Sequence, residues 1–194
     1  MENIHELLRA TIAPVAVAGA LDQLSGADRL GAVASLRRRE LAALYEAAAG
    51  NQPLRVTDLV PAGVAPLTEV IHDGKNSLPM FTRFQKRFCR PAGADRGELW
   101  GYNEQDLRAV TGPGYFVVHP DEDGQVVVDS RQVPPEAPPG WPRVLPNSAR
   151  LSRFIYDGTV DVLRRVSEGV TIGRAHRGGK PMDAWFALVR RPSS

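Results

Sequence analysis

From residue 98 onward, short apolar runs alternate with turn signals, and this alternation restricts the fold more than any other feature of the chain. The runs are 99–103, 115–119, 126–132, 151–157, 170–176 and 185–190. Runs this short, separated by Gly, Pro and Asp clusters, describe antiparallel strands joined by tight turns. Asp121-Glu122-Asp123-Gly124 joins the second run to the third, and Gly178-Gly179 closes the last hairpin. The 194 residues hold 18 Gly and 16 Pro. Their excess falls mostly after residue 90 and reads as turns rather than disorder. Six prolines and Trp141 within 134–146 mark a long irregular crossing loop.

The first fifty residues have a different character. Leu7, Leu8, Ile12, Val15, Leu21 and Leu24 recur at helical intervals, with Pro14 as a kink or break. Ser25 with Asp28 three residues on is a helix start. Leu30, Val33, Leu36, Leu41, Leu44 and Tyr45 extend a second stripe, with Arg37, Arg38 and Arg39 expected mid-helix and Gly50 as the stop. Residues 1–50 are therefore expected as a helical hairpin. Residues 51–79, with four prolines, are expected as a connector, and 80–194 as the β region, folded as one unit with the helices. Two segments are ambiguous. Residues 80–90 fit a strand or a helix, and strand is preferred because β structure follows. Residues 159–168 fit a short helix or a bending strand. The fold class is α+β: an N-terminal helical hairpin packed on, or capping, an antiparallel β-barrel or strongly curved sheet of six to eight strands.

Charge excludes several partners. Twenty-four basic residues against 22 acidic ones leave +2, too little to argue for nucleic acid or a membrane surface. The basic set is 21 arginines and only three lysines: Lys75, Lys86 and Lys180. Arg83, Lys86, Arg87 and Arg90 interleave with Phe81, Phe84 and Phe88. That pattern suits a nucleic-acid surface, but equally an amphipathic element with a wet face, and no nucleic-acid partner is expected. The apolar run 12–21 is broken by Pro14 and is too short to span a bilayer. The single Cys89 excludes an intrachain disulfide and fits a reducing, cytoplasmic setting.

No catalytic or cofactor motif stands out. Phosphate loops, a nucleophile elbow and paired histidines are absent from the sequence, so no cofactor and no metal are expected. The remaining signal is aromatic and polar residues spaced two apart. Trp100 with Tyr102, Tyr115 with His119, Phe154 with Tyr156, and Arg174 with His176 each share one strand face. If that face points inward, Trp100, Tyr102, Tyr115, His119, Phe154, Tyr156 and His176 line a ligand cavity. The other reading is that the aromatics fill a plain core.

The C-terminal third adds a resemblance. Tyr156-Asp157, then Arg164 and Val166, an apolar segment ending at Gly173, and a last segment from Trp185 to Arg190 resemble the closing strands of lipocalin-like bacterial proteins of the G-x-W-x-G type. This sequence has Gly97-Glu98-Leu99-Trp100-Gly101 in place of that motif. The segments GKNSLP, LWGYN and TGPGYF also resemble ones that recur in a bacterial protein family of no assigned activity. The resemblance implies a lipocalin-like barrel and a small ligand. The expected function is binding of a small, largely apolar or aromatic molecule in a barrel cavity. The alternatives are a metal-independent enzyme of cyclase or isomerase type in the same cavity, drawing on His72, Asp73, His119, Asp129, Asp157 or His176, or an interaction protein that docks through its helices. Oligomeric state is not legible.

Overall fold

The computed structural model describes residues 4–8, 14–79, 82–93, 97–105, 112–147 and 158–192. Eight antiparallel strands run in sequence order around a closed barrel: β1 (Val70–Asn76), β2 (Arg83–Cys89), β3 (Leu99–Glu104), β4 (Tyr115–Pro120), β5 (Val126–Asp129), β6 (Thr159–Ser167), β7 (Val170–Arg177) and β8 (Lys180–Arg190). Closure leaves no sheet edge, because β8 pairs with both β7 and β1. Both ambiguous segments resolve as strand. The run 151–157 lies outside the described residues. The β7–β8 turn uses Gly178 (φ 58) and Gly179 (φ 75); two consecutive left-handed residues match the twist of the strands they join.

The segment read as a connector does more than connect. It contains α5 (Val56–Leu59) and the first barrel strand. The prolines 53, 61 and 66 precede β1, and the HDGKN sequence obscures its alternation. Leu54, Val56, Leu59 and Val60 share a buried cluster with Val70, Phe88, Leu99, Val118 and Leu188, so this segment plugs one end of the barrel. Asn51 Nδ2 donates to the carbonyls of Arg165 (3.0 Å) and Val166 (3.1 Å), and Arg190 donates to Asp58 O (2.8 Å).

Four helices precede the plug: α1 (Ile4–Leu7), α2 (Pro14–Asp22), α3 (Gly26–Ser35) and α4 (Arg38–Ala47), the last running into a 3-10 turn over Ala48–Gly50. Pro14 opens α2, a position where its missing N–H costs nothing. Ser25 caps α3 by accepting from the Asp28 amide at 3.2 Å. The three arginines do not sit mid-helix. Leu36 and Arg37 are extended, and Glu40 turns back to accept from the Arg37 amide at 2.9 Å, which starts α4 afresh. The expected hairpin is thus a set of helices whose apolar residues Val17, Leu21, Val33, Leu36, Leu41 and Leu44 bury against Val170, Ile172, Trp185, Ala187 and Val189 on the barrel's outer face.

Candidate functional site

The register decides which residues face the barrel interior. Phe88, Leu99, Phe116, Val118, Val128, Leu163, Phe186 and Leu188 come from six different strands yet form one buried cluster. They can meet only inside. Pairing then carries that face around the ring: His72 lies across from Lys86, Lys86 from Asn103, Gly101 from Phe116, Val128 from Asp161, and Gly173 from Phe186.

Three glycines shape the inner wall. A Cβ on Gly101 would lie 2.1 Å from a Phe116 ring carbon, one on Gly173 2.4 Å from Phe186, and one on Gly74 2.6 Å from Phe84. Each ring therefore fills the place where a side chain would begin on the neighbouring strand. The rings fold back on the wall instead of projecting toward the barrel axis.

Polar groups interrupt this apolar lining. Lys86 is 4% exposed and Asp161 8% exposed. They sit on β2 and β6, opposite walls of an eight-stranded ring, yet Lys86 Nζ lies 3.5 Å from Asp161 Oδ2. The two side chains extend toward one another from facing walls. Lys86 Nζ also donates to Asn103 Oδ1 at 3.1 Å and lies 4.5 Å from the Phe116 ring centroid and 5.0 Å from that of Phe186. Asn103 is fixed in turn by donating to Gly114 O at 2.8 Å. Burial pushes the Lys86 ammonium below the usual lysine range more strongly than Asp161 lifts it. Burial likewise pushes the Asp161 carboxyl up more strongly than Lys86 lowers it. Burial thus disfavours the charged form of each partner.

His72 stands beside Lys86 on the wall. Its Nε2 lies 2.9 Å from the carbonyl of Leu59 in the plug. A carbonyl only accepts, so Nε2 carries the hydrogen and Nδ1 is a bare acceptor. Among the described residues Nδ1 has no hydrogen-bond partner. Burial lowers the ring's pKa to about 4, so it is neutral at pH 7.

Those expected cavity residues that are described lie elsewhere. Trp100 pairs with Val117, Tyr102 with Tyr115, and His176 with Val160, and all belong to the opposite parity, the outer face. Tyr102, Tyr115 and Trp141 pack together, with Tyr102–Trp141 centroids 4.9 Å apart. Tyr115 Oη donates to Pro142 O, and Asn147 Nδ2 donates to the carbonyls of Tyr115 (2.6 Å) and Ser130 (2.7 Å). The proline-rich loop is thus a strap laid over β3 and β4 from outside. The buried Cys89 packs with Trp100 and Val117 against Leu67 and Trp141, and burial raises its thiol to about 12. His119 sits at the rim, 3.7 Å from Asp129 Oδ2. Burial raises the Asp129 carboxyl, but hydrogen bonds from Arg131 and Gln132 outweigh it and hold the pKa at about 2. Phe154 and Tyr156 lie outside the described residues, as does Asp157.

The inward-facing premise failed because alternation carries no information when both faces are covered. Every residue of β5 is buried, as are five of the six in β3. One missed signal was present. Lys86 shares the period-2 face of Phe84 and Phe88, so a lone charge stood on an apolar face. The other basic residues of that segment diverge: Arg87 pairs with Glu69 at 2.9 Å, and Arg90 donates to Pro61 O and Val64 O.

A concavity of roughly 550 Å3 opens between α1, α2 and α3 and is lined by Ile4, His5, Ala20, Leu24 and Ala32. His5 bridges Glu40 (2.9 Å) and Ser35 (3.0 Å) there. Among the described residues no three His, Cys, Asp or Glu side chains gather as a metal site, and no helix is long and apolar enough to cross a membrane.

The molecule is therefore an eight-stranded antiparallel β-barrel with N-terminal helices on its flank, a fold compatible with ligand binding. Comparison with known proteins returns no matching family model, no matching curated protein and no matching solved structure. The likeness to lipocalin-like proteins reaches no further than the eight-stranded antiparallel barrel.

Proposed function

We propose that the protein binds a small, uncharged, largely apolar or aromatic molecule inside its barrel. One observation carries this reading: the Lys86–Asp161 pair held among Phe84, Phe116 and Phe186 in the lumen. A buried ion pair generally contributes less to stability than apolar residues of similar volume. Its presence in a lumen lined by aromatic rings supports a role in orienting something held there. Ligand sites combine such an apolar surround with a few placed polar groups. Lys86 and Asp161 neutralise one another and His72 is uncharged, so these three groups offer an ionic ligand no unpaired charge.

Titration with the neutral solvatochromic dye Nile red tests this. Saturable binding is expected. Val128→Phe, which enlarges a lumen residue, should weaken it by about tenfold or more, and Ala20→Arg in the helical groove should leave it unchanged. Circular dichroism of each variant reports that the fold is intact. Absence of saturable binding, or binding lost with Ala20→Arg but kept with Val128→Phe, overturns the reading.

A second reading, chemistry without metal in the same lumen, is favoured by His72 and Lys86. Both are buried side by side with their charged forms disfavoured.

A further inference from the structure

We propose that Lys86 is a nucleophilic amine that captures a carbonyl group of the lumen ligand as an imine, with Asp161 as its proton partner. The proposal rests on the ligand-binding reading and names the class of ligand: a small aromatic or apolar aldehyde or ketone.

Geometry is the first support. Lys86 Nζ has Asp161 on one side and Asn103 on another, with the Phe116 and Phe186 rings around it. A structural lysine commonly reaches solvent with its ammonium; this one is turned inward and buried against Asp161. The charge balance of the site is the second support. A ligand carboxylate would place a second anion beside Asp161 for a single cation, in a setting where uncompensated charge is costly. A carbonyl compound brings no charge. The third support is protonation. Burial disfavours both the ammonium and the carboxylate, and the neutral amine is the form that attacks.

The step balances as follows. With the proton on Asp161, the Nζ lone pair attacks the carbonyl carbon and the C=O π pair moves to oxygen. That oxygen takes the amine's surplus proton, giving a neutral carbinolamine. Asp161 then donates its proton to the hydroxyl, which leaves as water while the nitrogen lone pair forms the C=N bond. The product is an iminium on Lys86 paired with the Asp161 carboxylate. An amine, a carboxylic acid and a carbonyl compound become an iminium, a carboxylate and water, with no oxidant or reductant. Asn103 Oδ1, which accepts from Nζ, orients the nitrogen.

Borohydride trapping tests this on the intact chain. Benzaldehyde is incubated with the protein at neutral pH, sodium borohydride is added, and peptide mass mapping locates the benzyl group. The chain offers only Lys75, Lys86 and Lys180 besides its terminus. Label concentrated at Lys86 is expected, with competition by Nile red. Loss of that label is expected in Lys86→Met and, should that variant misfold, in Lys86→Met/Asp161→Leu. Asp161→Asn should slow formation of the Lys86 adduct, with circular dichroism reporting an intact fold. Label confined to Lys75, Lys180 or the terminus, or no label at all, overturns the proposal. If the dye binds in the lumen and no Lys86 adduct forms, only this proposal fails; if the dye does not bind either, the ligand-binding reading fails with it.

Discussion

His72 makes the barrel sensitive to mild acid. Its pKa falls from 6.5 to about 4 on folding. A lowered folded pKa means that the unfolded chain binds more protons between those values. The stability it confers is therefore complete above pH 6.5 and is lost as pH falls toward 4, by about 3 kcal/mol in all. Urea titrations across this window should show the decline, and His72→Phe should flatten it. Asp129 acts lower: its stability is present above 3.8 and disappears as pH falls to about 2. The Lys86–Asp161 pair makes a separate prediction. Lys86→Met strands a buried carboxylate and should cost about 3–5 kcal/mol, whereas Lys86→Met/Asp161→Leu should recover most of that loss. Chemical denaturation of the single and the double variant checks it. Lys86 was legible as an anomaly, one charge on the Phe84–Phe88 face. Asp161, between Thr159 and Leu163, was not, because its partner comes from the opposite wall and no local pattern records it.

At the scale of elements, the glycine–phenylalanine contacts fix the wall. A Cβ at Gly101 would meet not only the Phe116 ring but also the Arg87 backbone oxygen at 2.7 Å. The ring can move, but the strand behind it cannot. Gly101→Ala should thus cost about 1–3 kcal/mol or more, with Phe116→Leu relieving only part of it. Gly173→Ala meets side chains alone, Phe186 and Leu163, so Phe186→Leu should relieve more of its cost. Thermal unfolding of the four variants separates the two cases. The strands and their turns were legible because Gly and Asp clusters bound them. The break at Leu36–Arg37 was hidden because Arg37 to Arg39 favour helix and the capping Glu40 reads as one more helical residue. Strand β1 was hidden because His72, Asp73, Gly74, Lys75 and Asn76 are poor strand formers that pairing on both sides overrides.

Across the whole molecule, helices and barrel share one buried cluster, from Leu21 and Leu41 to Ile172 and Val189. They should unfold together: ellipticity in the far ultraviolet and tryptophan fluorescence are expected to give one coincident transition. Separate transitions would show that the helices are an independent unit. The α+β class and the antiparallel barrel were legible from the change of character near residue 51. Which barrel face pointed inward was not. Helices cover one part of the outside and the proline strap another, so both faces look apolar in sequence.

Closure by β8 has a consequence for damage to the chain. β8 is bonded to β7 on one side and β1 on the other. A premature stop before residue 180 would therefore deprive two strands of their neighbour at once. It would also remove Arg190, which fastens the plug at Asp58, and Trp185 and Val189, on which the helices rest. The resulting fragment would carry two raw β edges and an uncovered apolar flank, the features that recruit quality-control proteases and seed inclusion bodies. In this architecture the last ten or so residues of the barrel act as a proofreading seal: a ribosome that falls short releases a chain marked for disposal rather than a weakened protein.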